Sequence, residues 1–496
     1  MENENRNEMP PLPAPSHAYP VDKKDLWLFL GAVVCALAMV NMVIYGGFNL
    51  GFSVVSLVLI GLSGVYLRVT GNKGSFYTVA LLGLSAIIAA GYARSDDGFV
   101  KFILLGFLFV GVALALCLQS GQNRRMPGHF STLLDPFRTV FGYGFGRWYH
   151  AIAGLVAGFQ QSGTAGKKTG GVVLGLLIAA PVLAIVVALL ISADAAFAGL
   201  MDCLPEFQLG EAVVTMVFGS LLAMILVSYL LTLRHQDSVC VKHSQRKGCS
   251  GLTINTVLAA LSLVYLVYLV SQLAYFVGGF SGILPEGYTM AEYARRGFFE
   301  MAALCGINLA IMAIAMGVVA KDPKAPLATR LLCLFIGLVT LFFVASASAK
   351  MAMYIQSYGL TRLRVLTEVI MVFLGVTTIY VCIWLFVPRL PYMKAVIVTA
   401  LLFGAIVIWC DVDTVVARYN VTAYQQGILK TVDVEYLGKL NSAAIPYLEE
   451  LTHDTDPNIA QRALRQIKAS EDYVWEDFRD WNWADWVAEQ LIRGEA

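Results

Sequence analysis

"EYARRGFFEMAALCGINLAIMAIAMGVV", Glu292–Val319, opens on two arginines and a glutamate and then runs apolar to its end. A bilayer core takes about 20 apolar residues as one helix. Residues 297–319 therefore read as a membrane span, with Arg295, Arg296 and Glu300 at its mouth. Composition sets the same frame for the whole chain, which is 58% hydrophobic and 14% charged, with a mean hydropathy of +0.69. A soluble domain could not hide that much apolar surface behind so little charge.

Runs of similar length fall at 26–46, 50–69, 76–92, 99–119, 171–191, 212–233, 252–276, 297–319, 329–349, 366–386 and 393–410. In lipid the backbone must satisfy its own hydrogen bonds, and alternation with period two is absent, so helices are expected rather than a barrel. The expected fold is all-α: a polytopic transmembrane helix bundle of about 11 spans. The first run, opening at Leu26, is too long for a signal-peptide core and lacks a small-residue cleavage pattern, so it is expected to stay as a span. Nine cysteines are scattered singly and imply no disulfide framework.

Lysine and arginine in short connections set the orientation. Lys23, Lys24, Arg68, Lys73, "QNRRMPGHF" (Gln122–Phe130), "KDPKAPLATR" (Lys321–Arg330) and "VPRLPYMK" (Val387–Lys394) all fall on one side if the amino terminus is cytoplasmic. An odd number of spans then places the carboxyl end outside. The expected organisation is a disordered cytoplasmic tail (1–25), a first four-span group (26–119), a cytoplasmic or interfacial segment (120–170), a seven-span core (171–410) and an extracytoplasmic helical tail (411–496). In the interfacial segment, Trp148 and Tyr149 are expected at headgroup level.

Under this threading Arg295 and Arg296 are basic residues on the outer side, and Lys350, Arg362 and Arg364 repeat the exception before the tenth span. Arg296 with Glu300 and Arg364 with Glu368 have the i, i+4 spacing that places two side chains on one helical face. A carboxylate suits a helix start and an arginine does not, so the arginines need further acids: Asp194, Asp202, Glu286, Glu292, Asp411 and Asp413 share that side. Asn308 continues the polar stripe below Glu300. Asp194, Arg295, Arg296, Glu300, Asn308, Arg364 and Glu368 are thus the predicted ligand-binding or switch residues, lining a wet mixed-charge vestibule. The plainer reading is that each Arg–Glu pair neutralises itself at the interface while its side chains snorkel.

The tail reads as a helical hairpin, with apolar residues at helical spacing through Tyr436, Leu437, Leu440, Ile445, Leu448 and Leu451, a break at "HDTDPN", and a second stripe from Ile459 to Ile467. Trp475, Trp481, Trp483 and Trp486 follow among acids, suited to closing a small core or to meeting a partner.

No cofactor or metal site emerges. His235, Cys240, His243 and Cys249 match no zinc-finger spacing, and "GTAGKKTG" (Gly163–Gly170) fails the phosphate-loop pattern. Asn420 opens a glycosylation-type "NVT". A net charge of +1 gives no nucleic-acid footprint. The expected partners are the lipid bilayer and an extracytoplasmic protein met through the tail. The expected role is a non-enzymatic binding, sensing or regulatory component. The alternatives are a transporter using the polar stripes of the eighth and tenth spans, and an envelope enzyme using the outer acids.

"SADAAFAGL" (Ser192–Leu200), "EYARRGFF" (Glu292–Phe299), "YGLTRLRV" (Tyr358–Val365), "ARYN" (Ala417–Asn420) and "DVEYLGKLNSAAIPYLEEL" (Asp433–Leu451), with "DWNW" (Asp480–Trp483), resemble a bacterial multi-pass membrane family catalogued as a domain of unknown function, numbered forty-one seventy-three, or a sibling of it. The resemblance implies a bacterial cytoplasmic membrane and no established activity. Within its motifs it marks Asp194, Arg296, Arg364 and Asn420.

Overall fold

The computed structural model describes residues 22–121, 130–148, 209–235, 251–279, 298–319, 327–387, 389–469 and 477–493, with scattered positions between 175 and 193. Among these no strand occurs. The longer helices are α1 (Lys23–Gly46), α2 (Leu50–Val69), α3 (Phe76–Gly91), α4 (Gly98–Gln119), α5 (Leu209–His235), α6 (Gly251–Gly279), α7 (Phe298–Val319), α8 (Leu327–Tyr358), α9 (Arg362–Phe386) and α10 (Tyr392–Cys410). They are followed by α11 (Val412–Gln425), α12 (Ile445–Thr452), α13 (Pro457–Ala469) and α14 (Trp483–Arg493). Ten of the expected spans are therefore helices, and in the run at 171–191 the described residues, Val182, Leu183, Val186 and Leu190 among them, are helical. Among the described residues eight helices are long and apolar enough to cross a membrane, and two shorter apolar stretches, Phe76–Gly91 and Glu300–Met316, accompany them. The chain is a polytopic helical membrane bundle. The expected disordered tail lies outside the described residues up to position 21.

Boundaries shift where local chemistry outweighs hydropathy. α8 runs on through "ASASAK" to Tyr358 and stops at Gly359, whose φ of 75° favours glycine. α9 starts four residues before its apolar run because Thr361 caps it, accepting the Arg364 amide at 3.4 Å. In the interfacial segment, residues 130–145 form three short helical turns, and Trp148 is exposed. Tyr149 lies outside the described residues.

The chain divides into two compact units. The first holds α1, α2, α5 and parts of α3 and α4. α1 lies against α5 so closely that a Cβ on Gly219 would stand 2.6 Å from Leu37 Cδ2 and 3.0 Å from its Cα, a close approach of the small-residue kind common between membrane helices. Asp25, buried in the first turn of α1, accepts the Tyr66 hydroxyl at 2.7 Å and pairs with Arg234. Arg234 also reaches Asp22 at 2.6 Å. The acids sit at a helix start and the arginine at a helix end, so each charge also suits its own helix dipole. His235, the first residue of the zinc-like loop, turns back to the Leu231 carbonyl at 3.1 Å. Cys240, His243 and Cys249 lie outside the described residues.

In the second unit α6 to α9 close around Phe343, which Tyr265 and Tyr268 meet edge-on at 5.6 and 5.3 Å. Asn308 is wholly buried there. Its Oδ1 accepts the Tyr265 hydroxyl at 2.5 Å and its Nδ2 donates to Thr340 Oγ1 at 3.0 Å, clipping α6, α7 and α8 together. In a water-free interior these bonds must be made within the protein. Replacing Asn308 by Ala leaves the Tyr265 hydroxyl without its acceptor. Thermal unfolding in detergent is expected to show a loss of about 1–3 kcal/mol, and Tyr265→Ala is expected to cost less on an Asn308→Ala background than in the native chain.

Candidate functional site

The turn between α8 and α9 starts the site. Asn420, from α11, clasps the backbone of Leu360: its Oδ1 accepts the Leu360 amide at 2.7 Å and its Nδ2 donates to the Leu360 carbonyl at 2.8 Å. A Cβ on Gly359 would lie 2.6 Å from Asn420 Oδ1, so the clasp requires a glycine there. The glycosylation-type pattern is thus spent on a buried structural contact.

This clasp fixes where Arg362 emerges. Its amide donates to the hydroxyl of Tyr436, from the tail, at 2.8 Å. Its Nε lies 2.7 Å from Asp413 Oδ1 and 2.9 Å from Asp97 Oδ2, while Nη2 meets the other Asp413 oxygen. Both carboxylates are 1% exposed. Asp97 is held independently as the cap of α4, where its Oδ1 accepts the amides of Phe99 and Val100 at 3.0 and 3.1 Å. Ser95 Oγ accepts the Asp97 amide at 3.1 Å and donates to Asp411 Oδ1 at 3.0 Å. Asp411 is the hinge between α10 and α11, with φ of 50°, and its Oδ2 accepts the Thr414 hydroxyl at 2.7 Å.

The tail closes over these residues. Trp483 donates its amide to the Ala93 carbonyl at 2.8 Å. Asn482 caps α14 by accepting the Asp485 amide at 2.9 Å. Lys101, 4% exposed in the first turn of α4, lies in the field of Asp96, Asp485, Asp411 and Asp97. Every member of the network belongs to the second unit.

Burial, with the charge of Asp485, pushes Asp96 up to about 7. Burial outweighs the Arg362 contact and pushes Asp413 up to about 6. Burial also raises Asp411 and Asp485. The cluster can therefore take up and release protons close to neutrality. Among the described residues no three His, Cys, Asp or Glu side chains are placed to hold a metal.

The residues singled out in the sequence fare differently. Asp194, Arg295 and Arg296 lie outside the described residues, as do Asp202, Glu286, Glu292 and Trp475. Glu300 is exposed on α7, and Asn308 is taken up in its interhelical clip. Arg364 does not pair with Glu368. Its Nη1 donates to the carbonyls of Tyr358 and Gly359, the first at 3.2 Å, and its guanidinium lies over the Tyr354 ring at 4.1 Å. The negative end of α8 is a better place for a cation than the start of its own helix, and the expected i, i+4 pair gives way to it. Glu368 Oε2 is buried with no hydrogen-bond partner among the described residues. Trp481 and Trp486 are half-buried, whereas Trp483, its ring tilted 40° against that of Trp486 at 5.0 Å, is 46% exposed. The tail's apolar stripe is buried as expected at Leu437, Leu440, Ile445, Leu448 and Leu451. Its first helix is broken in pieces, with Asn441 at φ of 53°.

Asp411, Asp413 and Arg362 had sequence signals; Ser95, Asp96, Asp97 and Lys101 were missed. Their signal was "RSDDGFVK" (Arg94–Lys101), a helix-cap sequence before an apolar run with a lysine just inside it.

A family model described as a domain of unknown function, DUF4153, matches residues 76–451. The match replaces the number inferred from the motifs, begins well before the fifth expected span and ends with the first tail hairpin helix. No curated protein matches, and no solved structure does.

Because Asp96 and Asp413 hold protons more tightly folded than unfolded, the stability they contribute is full below about pH 3.9. It is lost as pH rises through about 6 and 7. The melting temperature is expected to fall between pH 5 and pH 8, with a shallower slope in Asp96→Asn. Arg362→Gln leaves two buried carboxylates without their cation and is expected to cost about 3–5 kcal/mol at pH 8 and less at pH 5, read by thermal unfolding at both.

Proposed function

We propose, from the premise that the chain belongs to the DUF4153 family and is a multi-pass membrane bundle, that it is a non-enzymatic binding, sensing or regulatory component of the bacterial cytoplasmic membrane whose tail faces the extracytoplasmic side. The observation that carries this reading is Arg362. One side chain and its backbone amide join the start of a span, the cap of another, the helix after the last span and a tyrosine of the tail. The tail is thereby linked through Arg362 to the carboxylates beneath it. That coupling is what a sensing element needs.

Parity supports the threading. Loop 92–97 and Arg362 meet at one end of the second unit, so in a bilayer an even number of crossings must separate them. Helices α4 to α8 supply five. A sixth is required, and the apolar run at 171–191, whose described residues are helical, is where the sequence offers it. Three helices precede loop 92–97 and two separate Arg362 from Asp411. The amino terminus and the tail then lie on opposite sides, and the lysines and arginines near α1 and between α2 and α3 favour the cytoplasm for the first. Transport along the eighth expected span, α7, finds less support, since Asn308 is committed to Tyr265 and Thr340.

Two measurements test the reading. A reporter active only outside the cytoplasm should work when fused after Ala496 and stay silent when fused after Gly71; the reverse pattern removes the proposal. In liposomes, Arg362→Gln should speed protease cutting at the His453–Asp456 turn by about tenfold or more, in line with the loss of a buried pair. Arg462→Gln, which breaks an exposed pair with Glu435, should cut at the native rate. Equal rates in both variants mean that Arg362 does not hold the tail.

A further inference from the structure

Beneath α14 the tail and the α3–α4 loop enclose a cleft of about 160 Å³ that the network itself does not fill. Arg94, Asp411, Thr414, Ser442, Tyr447 and Trp483 line it. The polar groups divide by charge. Arg94 spends its Nε on the Trp409 carbonyl at 2.8 Å, and its Nη nitrogens make no hydrogen bond or ion pair among the described residues. Asp411 accepts one hydrogen bond on each oxygen, from Ser95 and Thr414, and a carboxylate has room for further donors on each. A guanidinium edge offers a bidentate grip on a carboxylate or phosphate. A carboxylate beside a tryptophan and a tyrosine suits an ammonium, which is drawn both to the negative charge and to the ring faces.

Depth narrows the choice. Arg94 is bonded to Trp409, the penultimate residue of the span α10, which is 45% exposed and donates its indole N–H to the Ile87 carbonyl at 2.9 Å. An exposed tryptophan at a span end marks the headgroup level, so the cleft stands where polar headgroups lie. Its volume is below the roughly 300 Å³ at which pockets for drug-sized ligands begin, which leaves room for a headgroup and not for a larger solute. A purely anionic ligand would meet Asp411 and a purely cationic one would meet Arg94.

We infer that the cleft binds a zwitterionic amine of the phosphoethanolamine type, its phosphate on Arg94 and its ammonium between Asp411, Tyr447 and Trp483. The same chemistry can arrive as a membrane lipid headgroup or as a free solute. The inference holds whichever way the tail faces, so it and the proposed function can fail separately.

The full chain would be purified in an uncharged detergent and examined by native mass spectrometry and thermal unfolding. Phosphatidylethanolamine, phosphatidylglycerol and free phosphoethanolamine are offered in turn. Retention of phosphatidylethanolamine as a one-to-one adduct at least tenfold above phosphatidylglycerol supports a lipid source. A rise in melting temperature with phosphoethanolamine and no selective lipid adduct supports a solute source. In either case Arg94→Gln should weaken the interaction about tenfold or more, the order expected for losing a charge-assisted hydrogen bond. Arg94→Lys should recover part of it. Equal retention of both lipids without a response to phosphoethanolamine, or binding indifferent to Arg94→Gln in a variant that still melts cooperatively, overturns the assignment.

Discussion

The second unit depends on one constraint: Arg362 stands at the positive end of its own helix, where a cation is disfavoured, and is held there by two carboxylates that are themselves almost wholly buried. None of the three charges is tolerable alone at that place. Removing ions from water costs several kcal/mol each, and their mutual attraction recovers that cost only when the geometry is good and the remaining lone pairs are bonded. The structure meets the condition except at Asp97 Oδ2, which has the Arg362 contact at 2.9 Å and no hydrogen bond among the described residues. Asp97 gives its other oxygen to two amides of α4, Asp413 takes a bidentate contact, and the Arg362 backbone is anchored by Tyr436 and by the Asn420 clasp on Leu360, just before it. Helix start, the turn at Asp411–Asp413 and the tail are thereby tied together through one residue.

Lys101 extends the argument. A lysine in the first turn of a membrane helix ordinarily reaches for headgroups or water, but here it is 4% exposed. The tail has taken over the work of solvent: Asp485, on α14, joins Asp96, Asp97 and Asp411 in surrounding it with negative charge. α14 is docked to the α3–α4 loop by the Trp483 amide. The tail is thus part of the dielectric environment of the span ends. That is why burial can push carboxylates outside the spans toward neutrality even though cations stand beside them.

How much of this was legible depends on the length scale of each signal. Hydropathy is a property of about 20 neighbouring residues, and it located the spans at α2, α4 and α10 almost to the residue. Caps are signals of three or four residues, and reading them would have extended α9 back to Arg362 and drawn notice to "RSDDGFVK". The network has no local signature at all. Asp97 and Arg362 lie 265 positions apart by their numbers, and helical periodicity says nothing about which loop meets which. The i, i+4 rule selected Arg364 because Glu368 stood at the right spacing. That rule carries only a few tenths of a kcal/mol, too little to compete with the free carbonyls at the end of α8. The acids at 411 and 413 were legible as a pair sharing a side with Arg362, since the two spans between them return the chain to the same side.

A difference in depth separates the two kinds of polar group in the second unit. Asn308, deep among α6 to α8, is neutral and fully bonded, and a neutral amide between two hydroxyls has no second state to move to at ordinary pH. The aspartates around Arg362 sit where the spans end, under a cover of protein rather than of lipid. Burial there raises Asp413 and Asp411 above the usual carboxylate range. The groups whose charge can change near neutrality thus lie beyond the spans, and Asp411, which joins α10 to α11, belongs to the same network.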